Sequence, residues 1–350
     1  MVVRVVRSLR SGTPVARSGL AALLPVAGTA VVLAVLPPIW FGRSTYTTGL
    51  AIITLVFASY AVGFNVIFGS TSQLFLCVGA LAGIGGYATA LFSDSASLPV
   101  FVGVLLGTLI AAIVGGVLSW IAVRRSLGVI FTGILTLVFS LAFQNLLLGQ
   151  RQLTGGSTGH ELKAAATTLA DDRVGGYYLF AALVVIFLIV FRLIQTSHVG
   201  WAFRALRDDE TAAELTGIDV SRYRVYAAVV GSAMIGLTGG LYAYSDGFIN
   251  PTTFAFNQID VLVLVMVVFG GLGSLLGPLL GAGVFEAVDQ LLSSSGQIRE
   301  FLYGLMIVAL FLGFRRGLVP ALGRLARRPV VPASPLQPRT DDGPAVPSAT

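Results

Sequence analysis

Apolar residues run along this chain in blocks of helix length, separated by short polar or glycine-rich breaks. A membrane-crossing helix needs roughly 20 mainly apolar residues. Blocks of that kind occupy 20–40, 47–69, 72–92, 98–123, 127–148, 176–194, 225–245, 258–272, 275–292 and 298–314. The pair 258–292 is one hydrophobic stretch of 35 residues, too long for a single crossing. Gly270-Gly271-Leu272-Gly273 and Gly277-Pro278 punctuate it, and such residues end or bend helices. The stretch therefore predicts two helices, or two broken half-helices, joined by a tight turn. Segment 69–92 reads either as a full crossing or as re-entrant. The pattern predicts an all-α polytopic protein with about ten transmembrane helices, eight to eleven being compatible with it.

Composition narrows the classes further. The 350 residues are 55% hydrophobic and only 11% charged, whereas soluble domains carry about 25% charged residues. Between Gly19 and Val123, 105 residues hold two charges, Arg43 and Asp94. A soluble enzyme, a nucleic-acid binder and a disordered scaffold are all excluded by that scarcity. The net charge of +6 is then read as anchoring to the inner face of a bilayer.

Charge also sets orientation. Ten crossings with both termini cytoplasmic put Arg4, Arg7, Arg10, Arg17, Arg124, Arg125, Arg192, Arg204, Arg207, Arg222, Arg224 and six arginines after residue 314 inside, 17 of the 22 basic residues. Outside remain Arg43, Arg151, Lys163, Arg173 and Arg299. Adding or losing one span would invert half of that split. The first apolar run ends at Pro37-Pro38-Ile39-Trp40 and not at a small-x-small site, which predicts an uncleaved first span. The chain thus divides into a basic cytoplasmic tail (1–19), a membrane domain (20–314) with an outer loop (149–175) and an inner loop (195–224), and a basic, then Pro-rich, disordered tail (315–350).

Candidate chemistry is sparse. Cys77 is alone in an apolar stretch, and His160 and His198 lack metal-ligand spacing. No cofactor is expected. The outer loop carries Thr154-Gly155-Gly156-Ser157-Thr158-Gly159 without the Gly-Lys-Ser/Thr ending of a phosphate-binding loop. No paired-carboxylate or Ser/His/Asp constellation supports catalysis.

The inner loop is the informative part. Phe203, Leu206, Glu210 and Ala213 follow a helical period, Arg207 lies one turn from Glu210 and Thr211, and Gly217 stands where a C-cap falls, before Ile218. These features predict one short polar helix between two spans. It serves either as a solvated surface helix or, with small Ala212 and Ala213, as a seat for another protein.

Gly200-x-Ala202-x-Arg204-Ala205-x-Arg207-Asp208-Asp209-Glu210-x-Ala212-Ala213-x-x-x-Gly217-Ile218 resembles the coupling-loop signature of branched-chain amino acid ABC-importer permeases of the LivM type. Gly63-Phe64-Asn65-Val66-Ile67-Phe68-Gly69, Gly83-Ile84-Gly85-Gly86-Tyr87, Gly236-Leu237-x-Gly239-Gly240 and Gly270-Gly271-Leu272-Gly273-Ser274-x-x-Gly277-Pro278 are similar to the same family, in order, over residues 47 to 314. The chain departs from it at Phe75 and Val78, where members commonly carry Ser and His.

The resemblance implies a non-catalytic subunit in a bacterial inner membrane. Its partners would be separate ABC ATPase subunits, a sister permease in a hetero- or homodimer, and an extracytoplasmic solute-binding protein. Branched-chain or other amino acids are the implied solutes, with urea or short amides as an alternative. An ion-coupled secondary transporter is the rival class, since broken helices and glycine turns occur there too. Under the resemblance, Gly200, Arg204, Ala205, Arg207, Glu210, Ala212, Ala213, Gly217 and Ile218 couple to the ATPase. There Arg204, Arg207 and Glu210 set register, and the small residues allow close seating. Gly83, Gly85, Gly86, Gly270, Gly271, Gly273 and Gly277 are expected to allow close helix approach. Asn65, Gln73, Gln144, Asn145 and Glu286 are candidates for the translocation path. Glu286, one turn from Asp289 and near a helix end, is expected at an exposed interface.

Overall fold

The computed structural model describes residues 19–36, 45–95, 99–162, 173–292 and 304. It is built almost entirely of helices: α1 (Gly19–Leu36), α2 (Thr45–Thr71), α3 (Val78–Ser95), α4 (Val100–Arg124), α5 (Val129–Gly149), the single turn α6 (Arg151–Thr154), α7 (Arg173–Thr196), α8 (His198–Asp208), α9 (Glu210–Leu215), α10 (Val220–Asp246), α11 (Asp260–Gly270) and α12 (Gly277–Leu292). Among the described residues, five helices are long and apolar enough to cross a membrane: α2, α4, α5, α7 and α10. Apart from Gly304, the expected span 298–314 lies outside the described residues, as do residues 1–18 and the tail 315–350.

The bundle is organised by residue size more than by polarity. α10 lies at the centre against α4, α3 and α2, and α2 in turn carries α7, α12 and α11. On α4, Gly103, Gly107, Ala111 and Gly115 recur every four residues on the buried face. Phe101, Leu105, Leu109, Ile113 and Val117 recur on the exposed one. Both faces are apolar, so no hydropathy alternation marks them. Small residues face protein because close backbone approach, not water exclusion, holds helices together in lipid. Gly85 shows the consequence: a Cβ there would collide with the carbonyl of Gly236 on α10.

Two apolar blocks are less regular than their composition suggests. The expected span 72–92 is helical only from Val78; residues 72–77 form no regular secondary structure, and Ser72 turns the chain at φ 55°. Their backbone runs beside α5: Leu74 covers Gly133, and the Leu76 N–H donates to Thr136 Oγ1 at 2.8 Å. Non-helical backbone at membrane depth survives where protein side chains satisfy it, and Phe75 and Cys77 are fully buried. The block 258–292 forms α11 and α12, joined by a turn over 271–276.

The opposite end of the bundle is tied by a two-residue antiparallel pair, β1 (His160–Glu161) with β2 (Phe248–Ile249). His160 Nε2 meets Asp94 Oδ2 at 2.9 Å there, which joins the loop after α6 to the end of α3.

Candidate functional site

The polar segment between α7 and α10 folds as two helices where the sequence predicted one. The break falls at Asp209, whose backbone is extended (φ −158°, ψ 112°) and whose Oδ1 accepts from the Ala212 N–H at 3.1 Å. An Asp in that position satisfies an orphan N–H of the second helix more readily than it continues the first. Gly217 ends α9 with φ 84°, a conformation other residues adopt at a cost. Asp219 then caps α10 by accepting from the Arg222 N–H at 3.1 Å.

The pair is strongly two-faced. Ala202, Phe203, Leu206 and Ala213 are buried, Leu206 and Ala213 with Val220 forming a small core of their own. Trp201 (69% exposed) and Leu215 (85%) point outward, and the Arg204 guanidinium stacks over the Trp201 ring at 4.3 Å. Gly200 fits tightly because a Cβ there would strike the carbonyls of Ile194 and Gln195.

The charged residues expected to set register with a partner are used within the chain. Glu210 accepts from Arg224 Nη1 and Nη2 at 2.7 and 2.8 Å. Arg207 sends Nη1 back to the Gly69 carbonyl on α2 at 3.4 Å and lies against Gly273. Ala213 is buried and offers no outer seat, whereas Ala212, Arg204 and Gly217 are exposed and Ala205 and Ile218 half-buried.

The path candidates scatter. Asn65 is buried, with Oδ1 accepting from the Gly273 N–H at 2.8 Å and Nδ2 donating to the Ser274 carbonyl at 3.0 Å, so both ends of its amide are spent on the 271–276 turn. Gln73 accepts from Ser119 Oγ at 3.0 Å and borders a polar cavity of about 240 Å³ shared with Ser72, Thr132, Glu210, Glu214 and Arg224. Phe75 and Val78, the residues that depart from the family pattern, are buried away from that cavity. Gln144 is half-buried, and Asn145 is exposed with Nδ2 donating to the Leu141 carbonyl of its own helix. Glu286 was expected at an exposed interface. It is buried instead (8% exposed), because its side of α12, with Gly281, Ala282 and Phe285, packs inward.

The glycines act in packing and turning. Gly83 and Gly86 lie against Phe254, and Gly270 and Gly277 bring their backbones together across the 271–276 turn. Gly271 (φ 114°) and Gly273 (φ 71°) bend that turn.

One buried carboxylate escaped the sequence reading. Asp260, the first residue of α11, is 1% exposed, accepting from the Gly79 N–H at 3.2 Å and from Ser140 Oγ at 3.1 Å. A lone carboxylate inside an apolar block was the available signal.

A family model described as "Branched-chain amino acid transport system / permease component" matches residues 46–312. The chain belongs to that family. It is a multi-pass inner-membrane protein. The LivM permease protein of the high-affinity branched-chain amino acid transport system of Escherichia coli K12 is 28% identical, over 83% of this chain and 74% of its own length. The LivH permease of the same organism is 24% identical over 70% of this chain and 84% of its own length. The fructose import permease FrcC of Rhizobium meliloti is 23% identical over 68% and 69%. No solved structure gives a significant match.

Proposed function

We propose that this chain is the membrane subunit of an ATP-driven importer of branched-chain amino acids, with α8 and α9 as the element that docks a separate ATPase. The observation that carries this reading is the α8–α9 pair itself: a folded, two-faced element held between two spans with Trp201 and Leu215 directed away from the bundle. A helix pair kept only for solubility would bury those two side chains or lack them. The described arginines of the adjoining elements, Arg124, Arg125, Arg192, Arg204, Arg207, Arg222 and Arg224, gather at this end. That supports its assignment to the cytoplasm, with ten crossings and both termini inside.

The permease contributes no chemistry. Its task is to hold inward- and outward-open packings of similar free energy and let ATP binding elsewhere bias them; full switching requires about 5.5 kcal/mol of differential binding. Glycine and alanine contacts suit that demand, since small faces slide without repacking large side chains. A solute-binding protein would deliver the amino acid at the β1–β2 end, and a sister permease, the same chain or a relative of the LivH kind, would complete the pathway. The apolar outer faces of α4 and α5 suit lipid or that sister subunit.

Uptake of radiolabelled leucine in cells tests the reading. It should disappear when the cognate ATPase gene is deleted and persist when an uncoupler is added with ATP preserved. Uptake that survives the deletion, or collapses with the uncoupler, would indicate an ion-coupled carrier.

A further inference from the structure

We propose that α11 is a strut that carries movement of α8 to the middle of the membrane, gripped near one end through Gly273 and at the other through Asp260. The proposal rests on the docking role given to α8–α9 above.

At the inner grip, one residue is held by three elements. The Gly273 N–H donates to Asn65 Oδ1 on α2 at 2.8 Å, and its carbonyl accepts from Gln195 Nε2 at 3.0 Å. The space where a side chain would stand is filled by the Arg207 guanidinium. Gln195 precedes α8 and Arg207 lies near its end, so both flanks of α8 reach the same glycine. A rigid shift of α8 must therefore move the 271–276 turn or break these contacts.

The far grip lies deeper. α11 has 11 residues and is about 16 Å long at 1.5 Å per residue, half the roughly 30 Å hydrocarbon thickness. Ser140 stands 11 positions beyond the start of α5, which gives it about the same depth. There the Asp260 carboxylate joins the first turn of α3, through the Gly79 N–H, to α5, through Ser140 Oγ. A carboxylate at that depth is costly to leave without donors, so the junction moves as a unit. The rest of α5 is mostly exposed; Thr136, which receives the Leu76 N–H, is its other polar tie to the core. Displacement of α11 thus moves the inner end of α3 and the segment 72–77 against α5. Segment 72–77 and α5 border the cavity that holds Gln73 and Thr132.

The test uses the complete complex in proteoliposomes, with Arg207→Gln, Arg207→Lys, Gln195→Ala, Ser140→Ala and Asp260→Asn, scoring ATPase association, ATP hydrolysis and solute uptake per ATP. Each variant except Arg207→Lys should keep the ATPase bound and hydrolysing while uptake per ATP falls about tenfold, the size of a typical coupling free energy. Arg207→Lys should recover part of the loss. Arg207→Gln combined with Asp260→Asn should be no worse than the poorer single variant, because both interrupt one line. Loss of ATPase association in Arg207→Gln would overturn the proposal by making Arg207 a partner contact. So would wild-type uptake per ATP in both Gln195→Ala and Ser140→Ala, which alter each grip without touching a charge and so decide the matter if Asp260→Asn does not fold. If the wild-type complex itself shows no ATP-dependent uptake, the functional reading fails first.

Discussion

Glu210 and Arg224 face each other across the join between α9 and α10, two parallel hydrogen bonds of 2.7 and 2.8 Å linking the carboxylate to the guanidinium. The two partners are unequally wet: the Arg224 side chain is 15% exposed and that of Glu210 47%. Removing Glu210 leaves a half-buried cation without its partner, whereas removing Arg224 leaves a carboxylate that water can satisfy. Glu210→Gln should therefore lower stability more than Arg224→Gln. Both losses should stay near 1 kcal/mol because solvent screens the pair. The exchanged pair, Glu210→Arg with Arg224→Glu, should recover part of either loss. Thermal unfolding in detergent, with proteolysis of the 197–219 segment as a local readout, measures all three.

Gly217 and Gly85 should respond to the same substitution in different ways. Gly217 has φ 84° and open space around its Cβ position, so Gly217→Ala costs backbone strain alone, about 1–2 kcal/mol confined to α9. Gly85 has ordinary helical backbone, but its Cβ would collide with the Gly236 carbonyl on the central helix. Gly85→Ala should force α3 and α10 apart at about 1–3 kcal/mol and reduce the yield of folded protein. Melting curves and membrane yield separate the two; equal loss of yield would contradict the local role given to Gly217.

Asn65 should be less replaceable than Gln144 or Asn145. Asn65→Leu leaves the Gly273 N–H and the Ser274 carbonyl buried without partners, a cost of about 2 kcal/mol or more. Asn65→Asp keeps the acceptor and loses only the donor, though it adds a buried charge. Gln144→Leu, at a half-buried position, and Asn145→Leu, at an exposed one, should be close to neutral. A thermal-shift series over these four variants checks the order.

How far this was legible in the sequence differs from element to element. Helices α2, α4, α5, α7 and α10 are written in long apolar runs with few charges, and the positions of Gly217 and of the 271–276 turn follow from residues that restrict the backbone. Segment 72–77 was not legible as non-helical backbone, because Leu74, Phe75, Leu76 and Cys77 are as apolar as a helix would be. Its Leu76 N–H is satisfied by Thr136, 60 residues away, and local pattern carries no information about such a partner. The same limit explains Arg207 and Glu210. Their types suggested charged contacts, but whether the partner lies on another protein or at Gly69 and Arg224 is decided by tertiary packing. Asp260 was legible as an anomaly and not as a junction.

The sidedness and docking of α8–α9 can be measured directly on this chain. Its sole cysteine, Cys77, is buried, so Trp201→Cys or Leu215→Cys, combined with Cys77→Ala, supplies a single reporter for a membrane-impermeant maleimide. The account predicts labelling in inverted vesicles and not in intact spheroplasts, with labelling suppressed when the ATPase is bound. Labelling from the outside, or inside labelling that an actively transporting complex leaves unchanged, would contradict it.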